Sequence, residues 1–176
     1  MNIKNTKYVL NNMPNTVSVL LKAKHGVGKS RSVQQVAIEN GWDFYDVRLS
    51  QCEVGDIKGL PYREGDLMKF AKPEWFPKDP NSKGILFLDE LNRATKDVLQ
   101  AVFELCLDRR LDGTPLPEGW RVVAAINADD EYDVLPRFFA GTFVYYMLTV
   151  FIFFLWNMMN NYFLDIRFLV GVVRTL

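Results

Sequence analysis

The residues best suited to chemistry are a lysine and a hydroxyl, Lys29 and Ser30, which follow two closely spaced glycines, Gly26 and Gly28. Just upstream, the apolar run Val17–Lys22 predicts a strand. Glycines at such a point let backbone N–H groups approach a phosphate, the lysine ammonium can reach the outer phosphate oxygens, and the serine hydroxyl can ligate Mg²⁺. The sequence therefore predicts a binding loop for a nucleoside triphosphate.

This loop matches the pattern G-x-x-x-x-G-K-[ST] except at its first position, where Ala23 replaces glycine. Taken alone, an imperfect loop is also compatible with a glycine-containing turn before an ordinary amphipathic helix. His25 is the single histidine, and we expect it to face solvent or phosphate rather than a metal. The residues that we expect to contact the nucleotide are Ala23, Lys24, His25, Gly26, Val27, Gly28, Lys29 and Ser30.

Two carboxylates, Asp89 and Glu90, end an apolar run that is typical of a strand buried on both faces. Because functional side chains gather at the carboxyl ends of parallel strands, we expect both beside the phosphate loop. Asp89 is predicted to complete the Mg²⁺ shell with Ser30, largely through water, and Glu90 to polarise the attacking water. Acidic pairs also occur at solvated strand ends, and the phosphate loop upstream is what favours the functional interpretation.

A third strand end carries an amide. The buried-strand pattern Arg121–Ile126 closes on Asn127, whose side chain can orient a water molecule and sense a terminal phosphate. We therefore predict Glu90 and Asn127 as catalytic residues.

The elements that must position these residues follow a regular order. A helical pattern over Lys29–Asn40 is stopped by Gly41, and Phe44–Leu49 predicts a second strand. Strand, helix and strand after a phosphate loop imply a parallel sheet with a right-handed crossover. We predict an α/β fold with a three-layer core around a parallel sheet.

Two further local patterns complete this core. Residues 55–80 are rich in Gly and Pro and predict a hairpin that turns at Arg63–Asp66. Thr95 is the predicted cap of a helix with a broad apolar stripe. Arg109 and Arg110 follow that stripe and suit the negative end of the helix, and a contact with a neighbouring subunit is the alternative role.

Composition restricts the class of protein. A chain of 176 residues has room for one domain, or for one domain and a short appendage. Its formal net charge of zero shows no electrostatic footprint of a nucleic-acid binder. Cys52 and Cys106 lack metal-site spacing and are expected to be buried thiols in a reducing compartment. The N-terminus has no apolar signal region, and we expect a cytoplasmic location.

The composition changes abruptly after residue 137, which predicts a core over residues 1–137 and a distinct tail over residues 138–176. The tail is aromatic-rich, and Phe138–Leu164 contains no charged side chain. A helix of that length can cross a bilayer, which needs about 20 residues. Two interpretations stay open: a membrane-associated helical tail, or a truncated terminus in which an A/T-rich coding region is read out of frame.

Three of these stretches together resemble the Walker A, Walker B and sensor 1 elements of the AAA+ ATPases: Ala23–Ser30, Ile85–Ala94 and Val123–Asn127. Residues 1–137 are also similar to the MoxR-like branch, which is related to the dynein-type AAA domain. The stretches that carry this second likeness are Asp46–Ser50, Gly55–Pro61, Pro73–Trp75 and Leu107–Leu111.

The resemblance implies a five-stranded P-loop NTPase core that binds ATP with Mg²⁺ and hydrolyses ATP. It also implies a homo-hexameric ring, chaperone-like remodelling or assembly of protein clients, and a von Willebrand A-type protein partner. Nothing in it indicates nucleic acid.

The family pattern fades after Asn127. Leu135–Phe138 only partly resembles the family segment, and no helical lid with a second sensor arginine follows. Arg137 is the nearest candidate for an arginine that acts on a neighbouring subunit. We therefore expect this chain to bind ATP but to hydrolyse it slowly or not at all. The alternative is a membrane-anchored nucleotide-binding module with little hydrolysis, its tail reaching the membrane through residues 138–164.

Overall fold

A computed structural model describes residues 3–127 of the chain. Short 3₁₀ turns at Leu49–Gln51 and Leu91–Arg93 follow two of its strands. The helices and strands, in chain order, are α1 (Ile3–Asn12), β1 (Val19–Ala23), α2 (Lys29–Asn40), β2 (Asp43–Arg48), α3 (Val54–Lys58), β3 (Leu60–Glu64), β4 (Leu67–Ala71), β5 (Gly84–Asp89), α4 (Lys96–Asp108), β6 (Arg110–Leu111), β7 (Thr114–Pro115) and β8 (Trp120–Asn127).

Four parallel strands form the central sheet in the order β1-β8-β5-β2. The register places Asn127 opposite Ala23 and Asp89 opposite Arg48. The carboxyl ends of β1, β8 and β5 therefore lie at one edge of the sheet, as the parallel α/β prediction requires. The fifth strand implied by the family resemblance is not found among residues 3–127.

Both faces of the sheet are buried, which gives the predicted three layers. On one face, strand side chains pack with residues of α1 and α2 in a cluster of Leu10, Leu21, Val33, Val36, Ala37, Ile85, Phe87, Val123 and Ala125. Side chains alternate along a strand, so Leu86, Leu88, Val122 and Ala124 point to the opposite face. They are also fully buried. The helix α4 contributes a separate set of buried residues: Val98, Leu99, Ala101, Val102, Leu105 and Cys106.

The helix after the phosphate loop has the bounds that its sequence predicts. It begins at Lys29, after Gly28 in a left-handed conformation (φ 82°), and ends at Asn40, before Gly41 (φ 64°). Both flanking residues have positive φ, which glycine adopts without strain. The cap of α4 is confirmed as well, because the Thr95 side chain accepts a hydrogen bond from the Val98 N–H at 3.4 Å.

The predicted hairpin is confirmed as β3 and β4, which pair antiparallel with Glu64 opposite Leu67. Arg109 ends α4 with a positive φ of 55°, and its guanidinium donates to the backbone carbonyls of Asn15, Pro117 and Trp120. It therefore also ties the N-terminal segment to the start of β8, a contact that the helix-end prediction did not include.

Two features depart from the sequence predictions. The helix α1 was not predicted, because its sequence is mostly polar; Leu10 is nevertheless completely buried. Both cysteines are free, but only Cys106 is buried, whereas Cys52 is partly exposed. Burial raises the pKa of the Cys106 thiol to about 12.

Several predictions lie outside the described residues: the boundary at 137, the role of Arg137 and the nature of the tail 138–176. Within residues 3–127, the structure contains no helix that is both long and apolar enough to span a membrane.

Candidate functional site

The glycine loop has the backbone geometry that phosphate binding requires. Gly26 and Gly28 have φ values of 77° and 82°, and a Cβ at either position would meet no atom within 4 Å. Their requirement for glycine is therefore conformational rather than steric. Gly28 directly precedes α2, so the N–H groups in the first turn of this twelve-residue helix point back toward the loop, where a phosphate would lie. His25 is exposed, in line with the expectation that it faces solvent or phosphate, and Val27 is exposed as well.

Lys29 is buried, with 7% of its surface exposed, and oxygen acceptors surround its ammonium. Its Nζ donates to the backbone carbonyls of Ala23 at 3.1 Å and Lys24 at 3.2 Å, and to Asn127 Oδ1 at 2.7 Å. A buried charge is tolerated only when it is hydrogen-bonded. These contacts hold the ammonium between the glycine loop and the end of β8.

Ser30 and Asp89 form the second contact across the sheet edge. Ser30 Oγ donates to Asp89 Oδ2 at 3.2 Å, and Asp89 Oδ1 accepts from the Glu90 N–H at 2.8 Å. A hydroxyl and a carboxylate side by side are the hard oxygen ligands that Mg²⁺ prefers. The residues present therefore fit a magnesium ion.

Glu90 points its carboxylate in another direction. Its backbone is left-handed (φ 56°), uncommon for a residue other than glycine and enriched at functional sites. The carboxylate accepts a hydrogen bond from Ser50 Oγ, and its Oε1 lies 3.8 Å from Arg93 Nη1. Asp89 thus faces the phosphate loop through Ser30, whereas Glu90 is oriented by Ser50 and Arg93.

Asn127 is buried, and a second buried amide, Asn92, contacts its backbone. Asn92 Nδ2 donates to the Asn127 carbonyl, and the Asn127 N–H donates to Asn92 Oδ1, both at 3.2 Å. The Asn127 side chain meets Lys29 instead. The end of β8 is therefore fixed from two sides.

Asp46, on β2, adds a further negative charge near Asp89. Desolvation first, and then the charge of Asp89, raise the pKa of Asp46, while Arg48 opposes the shift. Asp46 and Arg48 also line a cleft of about 730 Å³ that continues to the base of the hairpin near Lys72 and Trp75.

The structure brings together most of the predicted site residues and adds three more. Lys29 meets Asn127, and Ser30 meets Asp89. Sequence reasoning gave no chemical role to three residues that contact predicted site residues: Ser50 and Arg93, which contact Glu90, and Asn92, which contacts Asn127. Ser50 could have been found by the rule that selected Asp89, since it lies just beyond the carboxyl end of β2. Asn92 and Arg93 lie in the local turn after Glu90; they belong to the stretch Ile85–Ala94 that resembles Walker B, but that resemblance gave neither residue a contact.

A family comparison agrees with this geometry. The sequence model of the AAA domain family (dynein-related subfamily) matches residues 18–139, which include the loop, both carboxylates and Asn127. No curated protein matches the chain significantly.

The solved structures that the chain is similar to share little sequence with it. A Cytophaga hutchinsonii protein with a provisional assignment as an ATPase is 20% identical, with a TM-score of 0.49, over 73% of this chain and 42% of its own. RuvB from Thermotoga maritima, a mutant form, is 17% identical, with a TM-score of 0.48, over 72% of this chain and 39% of its own. NtrX from Brucella abortus is 13% identical, with a TM-score of 0.47, over 70% of this chain and 30% of its own. The chain thus spans less than half the length of these proteins.

Proposed function

The chain belongs to the AAA domain family, dynein-related subfamily, and on this premise we propose that residues 1–137 form the ATP-binding core of a MoxR-like AAA+ ATPase. The observation that carries the proposal is the convergence of Lys29, Ser30, Asp89 and Asn127 at one edge of the sheet. Each supplies a group that a triphosphate with its magnesium ion would need.

Binding would use groups that are already close together. The N–H groups of the glycine loop and the start of α2 would donate to phosphate oxygens, and the Lys29 ammonium would exchange one of its oxygen acceptors for a phosphate oxygen. Ser30 and Asp89 would hold Mg²⁺. That ion, when bound, supplies positive charge to the phosphate oxygens.

Hydrolysis would depend on Glu90 and Asn127. Glu90 would accept a proton from the attacking water, with Ser50 and Arg93 orienting its carboxylate. Asn127 accepts from Lys29 through Oδ1, which directs its Nδ2 donors elsewhere, toward water or a terminal phosphate oxygen. Arg137 is our candidate for an arginine that reaches the site of a neighbouring subunit. An arginine in that role accelerates hydrolysis about 10³- to 10⁵-fold.

The wider role follows from the family. We propose a cytoplasmic homo-oligomeric ring that couples ATP binding and hydrolysis to remodelling or assembly of protein clients, with a von Willebrand A-type partner. A second candidate, a membrane-anchored nucleotide-binding module with little hydrolysis, rests on the charge-free stretch Phe138–Leu164. Retention of the full chain on lipid vesicles after a high-salt wash would favour the second candidate.

The proposal is tested by titrating ATP and Mg²⁺ into the full chain in detergent, with Lys29→Ala beside it. Charge-assisted hydrogen bonds contribute about 1.5–3 kcal/mol each, so we expect Lys29→Ala to weaken binding about 10- to 100-fold. Lys22→Ala is the matched control, because it removes the same charge from an exposed position on β1. Equal ATP affinity in wild type and Lys29→Ala would overturn the proposed site.

A further inference from the structure

Within the described part of the chain, the last residues of β8, from position 125 to Asn127, have no strand partner on the side of β5. Pairing between β5 and β8 ends at Leu88 opposite Ala124, because β5 stops at Asp89 and the chain turns at Glu90. On the other side, β1 remains paired with β8 as far as Asn127. Among residues 3–127, one edge of the last residues of β8 therefore has no strand neighbour, at the point where the site is built.

A side chain fills that place. The Asn92 amide contacts both the N–H and the C=O of Asn127, at 3.2 Å each, as a neighbouring backbone peptide would. Asn92 is 4% exposed and Asn127 is 6% exposed, so water does not compete freely for these groups. An amide is suited to this arrangement because it combines one acceptor with a donor in a single rigid plane.

We propose that Asn92 is a positioning residue for the sensing of the terminal phosphate. Its amide sets the backbone of Asn127, and the backbone sets where the Asn127 side chain meets Lys29 Nζ. Groups that contact reacting atoms need placement to within about 0.5 Å, and a strand end held on one side alone does not supply it. The inference rests on the proposed nucleotide function.

The location of Asn92 gives this contact a further consequence. Asn92 lies in the short turn Leu91–Arg93, which directly follows Glu90 and also carries Arg93. One turn of backbone therefore contacts both the Glu90 carboxylate, through Arg93, and the backbone of Asn127, through Asn92. The turn Leu91–Arg93 therefore positions both Glu90 and Asn127.

Discrimination between ATPγS and ADP, each with Mg²⁺, tests the proposal on the full chain in detergent. If Asn127 contacts the terminal phosphate, wild type binds ATPγS more tightly than ADP, and Asn92→Ala lowers that ratio about tenfold, the equivalent of one charge-assisted hydrogen bond. Asn127→Ala should lower it similarly, and the double variant should lose no more than either single variant. Hydrogen exchange at the Asn127 N–H should accelerate in Asn92→Ala.

A control of comparable instability separates positioning from folding. Leu105→Ala removes a fully buried side chain from α4, one residue from Cys106, whose carbonyl accepts from Ser18 before the start of β1. Leu105 therefore lies toward the amino ends of the strands, away from the site. Leu105→Ala should keep the wild-type ratio of ATPγS affinity to ADP affinity, even where its melting temperature falls as much as that of Asn92→Ala. If Asn92→Ala does not fold, Asn92→Ser, which keeps one hydrogen-bonding oxygen, replaces it with the same expectation.

The outcomes distinguish the two proposals. An unchanged ratio in Asn92→Ala, or an equal fall in Leu105→Ala, overturns the positioning role while nucleotide binding stands. Equal affinity of wild type for ATPγS and ADP also overturns it. Absence of binding to either nucleotide overturns the proposed function itself, and the positioning role with it.

Discussion

The most informative single change at the site is Glu90→Gln, because it removes a charge while keeping the shape of the side chain. Glutamine retains an oxygen that can accept the Ser50 hydroxyl. It loses the ion pair with Arg93, in which Glu90 Oε1 and Arg93 Nη1 lie 3.8 Å apart. The Arg93 side chain is 39% exposed and the Glu90 side chain 15% exposed. A pair of this kind contributes within about 1 kcal/mol, so we expect the fold to survive.

The expected effect falls on turnover rather than on binding. A general base contributes about 10²–10⁴ in rate, and glutamine cannot accept the proton. Glu90 does not contact Lys29 or Ser30 in any of its hydrogen bonds or ion pairs described above. ATP affinity should therefore stay within about threefold, a difference of less than 1 kcal/mol.

The assay pairs calorimetry of ATP–Mg²⁺ binding with single-turnover phosphate release, protein in excess, on the full chain in detergent. Excess protein makes slow hydrolysis measurable. Glu39→Gln is the matched control, because it removes the same charge and an ion pair with Lys7 on the surface of α1 and α2. A loss of ATP affinity as large as the loss of rate would refute the assignment, since Glu90 would then act mainly in binding.

The remaining predictions concern stability. Because desolvation and Asp89 raise the pKa of Asp46 in the folded protein, its ionisation opposes folding. The contribution of protonated Asp46 to the free energy of unfolding is thus fully present below the ordinary aspartate pKa. It is lost as pH rises through the raised pKa of the folded protein. Asp46→Asn should raise the melting temperature at pH 7, with a gain that disappears in acid; an equal gain at both pH values would contradict this cause. At Gly84, an added Cβ would lie 2.6–2.7 Å from the buried Trp120 ring, so Gly84→Ala should cost about 1–3 kcal/mol by overpacking in denaturant unfolding. Gly55→Ala, with only an ordinary 3.7 Å contact, is its control, and equal stabilities of the two variants would show that the ring yields without cost.

Local features of the chain could be predicted from sequence because their causes lie within a few residues. The bounds of α2 follow from Gly28 and Gly41, whose positive φ values suit only the ends of a helix. The hairpin of β3 and β4 follows from the turn residues between them, and the phosphate loop from the order of its glycines, lysine and serine. The buried strands were visible as apolar runs that end in polar residues.

The tertiary structure decided which of these ends meet. Lys29 and Asn127 are 98 positions apart, and Ser30 and Asp89 are 59 apart. Their contacts exist because β8 is inserted between β1 and β5, an order that no local pattern encodes. The same packing buries Leu10 of the mostly polar helix α1, which periodicity did not reveal.

The role of Asn92 shows the difference most clearly. In the sequence it is one polar residue after two carboxylates, equally compatible with a solvated turn. Only the early end of β5, the positive φ of Glu90 and the further extension of β8 leave two backbone groups of Asn127 in need of partners. A buried peptide group must be hydrogen-bonded, and the fold places the Asn92 amide where both bonds can form. Residue types along the chain thus determined which chemistry is available, whereas strand order and strand length determined which side chains meet to perform it.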